Sequence, residues 1–331
     1  MKILITGAAG YIGSILTPML LAEGHTVTAL DRFIYGNDTA LANCCAHPNF
    51  EVHRVDCRDL SAVRQHVAGA DVVIPLAGLV GVPLGNVNPV DAELLNLTAQ
   101  LGLFTLLSHD QLVIMPTTES SYGSNTDVCT EETPLNPLST YARHKVDVEN
   151  ALMARGNSIS LRLATVFGMS PRLRTDLLVN DFTLRALRDR AFVVFEGKYR
   201  RTCVHVRDVA RAFIHALRVN GPQGVPFRVI TPTDPRAMIE VEPADKVALG
   251  IYNVGSCTMT KLSLCEAIAA QVPGFTYVEA PVGSDPDKRD YCVAMDKLLA
   301  TGFRPEWTLD AGIAELLKGY RMLGVGPHRN A

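Results

Sequence analysis

The chain has 331 residues, about two domains at ~150 residues each. Thirty-one Lys and Arg face 34 Asp and Glu, a formal charge of −3, so neither nucleic acid nor an anionic membrane is expected as the main partner, because both select a basic surface. An apolar share of 47% with 20% charged residues supplies a substantial core and excludes a disordered chain. No apolar run approaches the ~20 residues that span a bilayer, and the opening Met1–Gly7 is too short before its first glycine for a signal peptide. The eight cysteines show no Cys-x-x-Cys and no zinc-type spacing with His; they read as buried thiols of a reducing cytosol, with no metal. A cytoplasmic protein is expected.

In chain order the first half alternates strands and helices. Strands are expected at Ile3–Thr6, Thr26–Leu30, Glu51–Val55, Asp71–Pro75, Gln111–Met115 and Ile159–Leu163. Helices are expected at Ile12–Ala22, Leu60–Val67, Val90–Leu107 and Thr140–Ala154. The strands are nearly continuous apolar runs, the mark of a parallel sheet covered on both faces. The fold class is α/β, a Rossmann-like doubly wound parallel sheet. After Phe167 the rhythm breaks into an Arg-rich stretch, 168–203, with a helix near Leu177–Asp189. A helix follows at Asp208–Val219, then a loop or excursion through 220–250 with five prolines and three glycines, which includes Gln223–Leu249. Helical patterns recur near 260–271, 294–300 and 309–321. The expected division is a dinucleotide-binding domain over 1–167 with a return segment at about 204–255. Residues 168–203 and about 256–331 would form a smaller C-terminal substrate-binding lobe.

Gly7-Ala-Ala-Gly10-Tyr11-Ile12-Gly13 lies between the first strand and the first helix. Glycines there permit the tight turn and let backbone N–H groups and the helix N-terminus approach a pyrophosphate. Asp31 closes the second strand, where a carboxylate accepts from ribose hydroxyls and repels a 2′-phosphate. Arg32 follows and would tolerate such a phosphate; NAD is expected over NADP.

Tyr141-Ala-Arg-His-Lys145 puts a phenol and an ammonium on one helical face at i and i+4. A nearby Lys⁺ is expected to lower the phenol's pKa and make Tyr141 a general base. Pro116-Thr-Thr118-Glu119-Ser-Ser-Tyr122-Gly123 follows a strand whose carboxyl end is where doubly wound folds bind ligands.

Together with Leu76-Ala77-Gly78, Asn96, Arg201-Thr-Cys-Val-His-Val-Arg-Asp208-Val-Ala, Tyr252-Asn-Val-Gly255 and Arg289-Asp-Tyr291, these motifs resemble an extended short-chain dehydrogenase/reductase. More narrowly, they resemble the NAD-dependent nucleotide-sugar epimerases and dehydratases. The resemblance runs in order through residues 1–168. It implies that Gly7, Gly10, Tyr11, Ile12 and Gly13 hold the NAD pyrophosphate and Asp31 the adenosine ribose. Asp56 and Cys57 fall at the adenine, and Leu76, Ala77 and Gly78 line the cofactor. Asn96 shapes the site on the substrate side, Thr118 is the catalytic hydroxyl, Tyr141 the base, and Lys145 binds the nicotinamide ribose. Arg201, and Arg289 with it, would pair with the diphosphate of a nucleoside-diphosphate sugar. Glu119 stands where many relatives carry a small residue and dehydratases carry an acid, and it is carried over as a catalytic residue.

The implied chemistry is oxidation at sugar C4 to a 4-keto intermediate that is re-reduced, loses water or CO₂, is epimerised or is released. The family also implies a homodimer through a four-helix interface. Two other readings stand beside this: a short-chain dehydrogenase/reductase for a small non-nucleotide alcohol, and a non-catalytic NAD-sensing protein.

Overall fold

A computed structural model describes residues 1–81, 88–220, 227–231, 234–241, 248–280 and 289–323, of which 219–220, 227–231 and 234–241 are described by backbone alone. The main sheet is built from seven parallel strands: β1 (Lys2–Thr6), β2 (Thr26–Asp31), β3 (Phe50–Arg54), β4 (Val72–Pro75), β5 (Leu112–Thr118), β7 (Ser158–Leu163) and β13 (Gly250–Val254). Their order across the sheet is β13-β7-β5-β4-β1-β2-β3. The order reverses direction between β1 and β4, which opens a crevice at their carboxyl ends. The expected doubly wound sheet is present.

The central strands are apolar because both faces are covered. On one face α1 (Gly13–Ala22) and α6 (Val206–Asn220) pack Leu16, Leu20, Val209 and Phe213 against Ile3, Ile5 and Ile74. On the other, Val148 and Leu152 of α4 (Thr140–Arg155) pack on Val113 and Met115, and Val63 of α2 (Leu60–Val67) packs near Leu4 and Val73. Edge strand β3 departs from the all-apolar expectation: its residues are half-buried or exposed, since only one neighbour covers it.

The helix read at Val90–Leu107 is α3, residues 89–106, interrupted by a π turn at Leu94–Thr98. Apolar periodicity does not report such a turn, because one inserted residue leaves most of the buried face in place. β5 runs three residues further than expected, to Thr118, since its partner β7 continues alongside as far as Leu163.

Beyond Phe167 the Arg-rich stretch holds more order than its composition suggests. β8 (Thr165–Phe167), β10 (Arg200–His205) and β14 (Cys257–Thr260) form a three-stranded sheet. β9 (Ala191–Val194) pairs with β15 (Thr276–Glu279), and short β6 (Val128–Cys129) pairs with β16 (Cys292–Val293). Helices α5 (Leu178–Asp189), α7 (Lys261–Ala269), α8 (Asp296–Ala300) and α9 (Leu309–Leu323) lie close to the patterns read for them. A second core joins Phe182, Phe192, Leu264, Ile268, Ile313 and Leu316.

The 220–250 segment is not a plain loop: Phe227–Thr231 (β11) and Asp234–Val241 (β12) pair antiparallel. Gln223 and residues 242–247 lie outside the described residues. The cysteines are less uniform than expected. Cys44, Cys129, Cys203 and Cys265 are buried, Cys57, Cys257 and Cys292 are half-buried, and Cys45 is exposed. Among the described residues no helix is long and apolar enough to cross a membrane, and no three His, Cys, Asp or Glu side chains are grouped to hold a metal ion.

Candidate active site

The glycine loop turns directly off β1. Gly7 adopts φ 73°, and a Cβ on it would lie 2.6 Å from the Ala77 nitrogen; a Cβ on Gly13 would lie 2.5 Å from the Ala8 carbonyl oxygen. Neither position accepts a side chain, so the loop after β4 closes on the loop after β1. The Gly7 N–H donates to the Leu30 carbonyl (2.7 Å) and the Gly10 N–H to that of Gly7 (3.0 Å). Ile12, at the N-cap position of α1, supplies no side-chain cap, and the first turn carries no acid. An uncapped helix start above a glycine turn is a site for a phosphate anion.

Asp31 ends β2 with both oxygens engaged: Oδ2 accepts from the Ala9 N–H (2.9 Å) and Oδ1 from the Phe33 N–H (2.7 Å). Burial raises its pKa, and these backbone donors pull it back. The carboxylate is thus fixed beside the glycine loop with lone pairs left for ribose hydroxyls. Arg32 is half committed elsewhere, 3.3 Å from Asp56. Asp56 also accepts from Arg58, which holds its carboxyl below the usual range. Burial pushes the neighbouring Cys57 thiol up to about 12, so it is a neutral wall.

The Leu76 N–H bonds to the Thr6 carbonyl (2.9 Å), and Gln100 holds the Ala77 carbonyl (2.9 Å). Asn96, on the π turn of α3, accepts from the Leu79 N–H and donates to the Leu79 carbonyl, each at 2.8 Å. One donor and one acceptor of its amide therefore hold the loop that carries Leu76, Ala77 and Gly78. Asn96 thus shapes the site by holding backbone. A Cβ on Gly78 would press on this amide at 3.0 Å.

Thr118 is the last residue of β5 and N-cap of the short 3₁₀ turn Glu119–Tyr122, its Oγ1 accepting from the Ser120 N–H (3.1 Å). Tyr141 lies on the first turn of α4, capped by Ser139, whose Oγ accepts from the Ala142 N–H. Lys145 is one turn on, buried, with Nζ donating to the Pro116 carbonyl (3.1 Å). Arg289 donates to Ser120 Oγ.

The electrostatics around Tyr141 differ from the sequence expectation. Burial raises the phenol, and the cations that pull it down are Arg174 and Arg289, not Lys145. Burial, with no anion beside it among the described residues, lowers Lys145 itself to about 8. Arg174, in the stretch after Phe167, was missed from the sequence; only its place among several arginines hinted at a role.

Glu119 is fully buried at 0% exposure, and neither carboxylate oxygen has a hydrogen-bond partner among the described residues. Burial, with Cys292 and Glu131 adding to it, raises its pKa well above the usual carboxylate range, which favours the neutral acid. Arg201, on β10, is buried, and its Nη1 donates to the Arg200 carbonyl (2.9 Å). The Arg200 N–H in turn bonds Asp290, the residue after Arg289, so both arginines belong to one wall.

Beneath the site runs a polar network that the sequence did not single out. Glu149, eight residues after Tyr141, accepts from Thr117 (2.8 Å), Ser160 (2.6 Å) and the Nε and Nη2 groups on one edge of the Arg162 guanidinium. Arg162 donates to the Tyr122 hydroxyl (2.8 Å), which donates to Asn253 (2.7 Å). No local pattern in the sequence signals it, since Glu149's partners Thr117, Ser160 and Arg162 lie on other elements.

A profile of the NAD dependent epimerase/dehydratase family matches residues 3–229. The chain is 26% identical to UDP-glucuronic acid decarboxylase 1 of Danio rerio over 66% of this chain and 54% of that one. UDP-glucuronic acid 4-epimerase from Bacillus cereus, solved with UDP-glucuronic acid and NAD, superposes with a TM-score of 0.79 at 22% identity, covering 98% of this chain and 100% of that one. UDP-glucose 4-epimerase from Thermus thermophilus, solved with NAD, gives 0.76 at 24% identity over 98% and 100%. With the glycine turn, the bare helix start and the fixed Asp31 carboxylate all suited to a dinucleotide, the chain belongs to the NAD dependent epimerase/dehydratase family and NAD is its cofactor.

Proposed function

We propose that the protein acts on a nucleoside-diphosphate sugar by oxidising its C4 hydroxyl to a ketone and completing an epimerisation or an elimination from that 4-keto sugar. The observation that carries this is the convergence at Tyr141. A half-buried phenol one turn before a buried Lys145 is acted on by Arg174 and Arg289, and Arg289 bonds Ser120, two residues past Thr118. When bound, NAD would supply the hydride acceptor for the C4–H bond and, in these outcomes, the hydride for the return step. Tyr141 removes the 4-OH proton while Thr118 Oγ1 bonds the same oxygen. Lys145 holds the cofactor ribose. Gly7, Gly10, Tyr11, Ile12 and Gly13 hold the pyrophosphate, Asp31 the adenosine ribose, Asp56 and Cys57 border the adenine, and Leu76, Ala77 and Gly78 the remainder. Arg201 and Arg289 meet the sugar nucleotide's diphosphate, for which a guanidinium fork is suited. In this reading residues 1–167, with the return at 204–255, serve the cofactor, and 168–203 with 256–331 the sugar nucleotide. The working form is a cytoplasmic homodimer.

Glu119, kept protonated next to Thr118, is the acid that such a site needs to expel water from a 4-keto sugar. The test offers UDP-glucose, UDP-glucuronic acid and dTDP-glucose to the protein and follows both product and absorbance at the NADH band. Turnover of one of them, slowed by deuterium at C4, is expected. Turnover of none, with oxidation of simple alcohols, would overturn the substrate class. Glu119→Gln should then stop water loss while the transient NADH band survives; unchanged product formation would assign the protein to epimerisation instead.

A further inference from the structure

The segment that follows β8 crosses from one wall of the dinucleotide cleft to the other. Its first residues are riveted to the start of α1. The Tyr11 hydroxyl donates to the Gly168 carbonyl (2.7 Å), Ser170 Oγ donates to the Tyr11 carbonyl (2.8 Å), and Ser14 and Ser170 share a bond of 2.9 Å. Two residues on, the Arg172 guanidinium stacks over the Tyr35 ring at 4.1 Å. Tyr35 belongs to the loop after Asp31, which is itself pinned to the glycine loop by Asn37 Nδ2 donating to the Ala9 carbonyl (2.5 Å). Arg172 is 7% exposed and Tyr35 36%, so the stack is the outer closure of a buried span. Asp31, which faces the ribose position, bears electrostatically on both partners. Arg174, two residues further, reaches the neighbourhood of Tyr141 and Gly81. One short segment thus passes from the pyrophosphate turn over the adenosine side to the catalytic phenol.

We propose that residues 168–174 are a strap across the dinucleotide cleft whose clasp is Arg172 stacked on Tyr35, and that this clasp holds NAD on the protein between turnovers. The physical need is plain: a cofactor regenerated in each cycle gains nothing from leaving, and a partly desolvated cation–π stack across its exit slows departure without touching the reacting atoms. The inference rests on NAD as the cofactor and is independent of which sugar nucleotide is used.

Its test needs no substrate. Protein loaded with NADH is mixed with excess NAD, and release is followed by the loss of NADH fluorescence. Tyr35→Ala and Arg172→Met should each release NADH about tenfold faster than the unaltered protein, the scale of one such stack. Tyr35→Phe, which keeps the ring, should release it at the unaltered rate. Tyr35 is a surface loop residue, so Tyr35→Ala is decisive even if Arg172→Met fails to fold. Unchanged release from a folded Tyr35→Ala protein would overturn the clasp, and so would release from Tyr35→Phe as fast as from Tyr35→Ala.

Discussion

At the scale of single residues the site is a set of groups held in unfavourable states. In the proposed mechanism Tyr141 must give up a proton, yet burial keeps its phenol high and two guanidiniums only partly offset this. Tyr141→Phe preserves the ring and removes the base, so kcat should fall ~10²–10⁴-fold while NAD affinity, measured by calorimetry, changes little. In the unaltered enzyme the rate should climb with pH as the phenol ionises, and Arg289→Met should move that limb to higher pH, because a cation that favours the phenolate is lost. A limb that stays in place would remove Arg289 from this role.

Lys145 is the complementary case. Its folded pKa, about 8, lies below the ordinary 10.5, so between these values the unfolded chain binds the extra proton and stability rises with pH. Below pH 8 the cost of the buried charge is fully present. Lys145→Met should therefore stabilise NAD-free protein at pH 7, by up to about 3 kcal/mol at ~1.4 kcal/mol per pKa unit. The gain should fade as the pH rises from 8 towards 10.5, and turnover should be lost throughout. Denaturant titrations at pH 7 and pH 10 read both effects; a destabilised variant at pH 7 would show that the bond to Pro116 outweighs the buried charge.

At the scale of elements, helix α4 and strand β5 bring the chemistry together, and Glu149 fixes one against the other. Its carboxylate faces Arg162 on β7 and Thr117 on β5, immediately before Thr118, with both members of the ion pair buried. Removing one partner of such a pair leaves the other charge uncompensated, so Glu149→Ala should cost about 3–5 kcal/mol in unfolding free energy. Chemical denaturation measures it, and a loss below about 1 kcal/mol, the level of a surface pair, would mean that Arg162 finds another anion. The π turn of α3 works in the same way at lower stakes, presenting Asn96 so that both amide groups reach the backbone of Leu79. Neither device announces itself in the sequence: a buried Glu two turns after Tyr141 has the same spacing as a surface salt-bridge former, and a π turn leaves no compositional trace.

At the scale of the molecule, α3 keeps an apolar face that its own sheet does not use. Val90 is 70% exposed and Leu94 41%, next to Leu97, Leu101 and Phe104, which are packed only in part. A two-fold partner contributing the same helices would cover this face. Sedimentation at micromolar concentration should show a dimer, and Val90→Glu with Leu94→Glu should yield a monomer; an unchanged dimer would place the interface elsewhere.

The local sequence determined the doubly wound sheet and the places of its candidate site residues, because apolar strand runs, a glycine turn and helix spacing are short-range patterns. The glycine loop, Asp31 at the end of β2, Thr118 at the end of β5, and Tyr141 with Lys145 on α4 are all legible within windows of a few residues. The family resemblance that these motifs carry agrees with the profile match over residues 3–229. What the tertiary structure decided is every interaction that joins distant windows. It made Arg174 and Arg289, rather than Lys145, the cations acting on Tyr141, closed Glu119 off from solvent, and turned Asn96 onto backbone. It also found strands in the stretches after Phe167 that composition marked as irregular. Burial and charge placement depend on which segments the fold packs together, and no local pattern of residues contains that information.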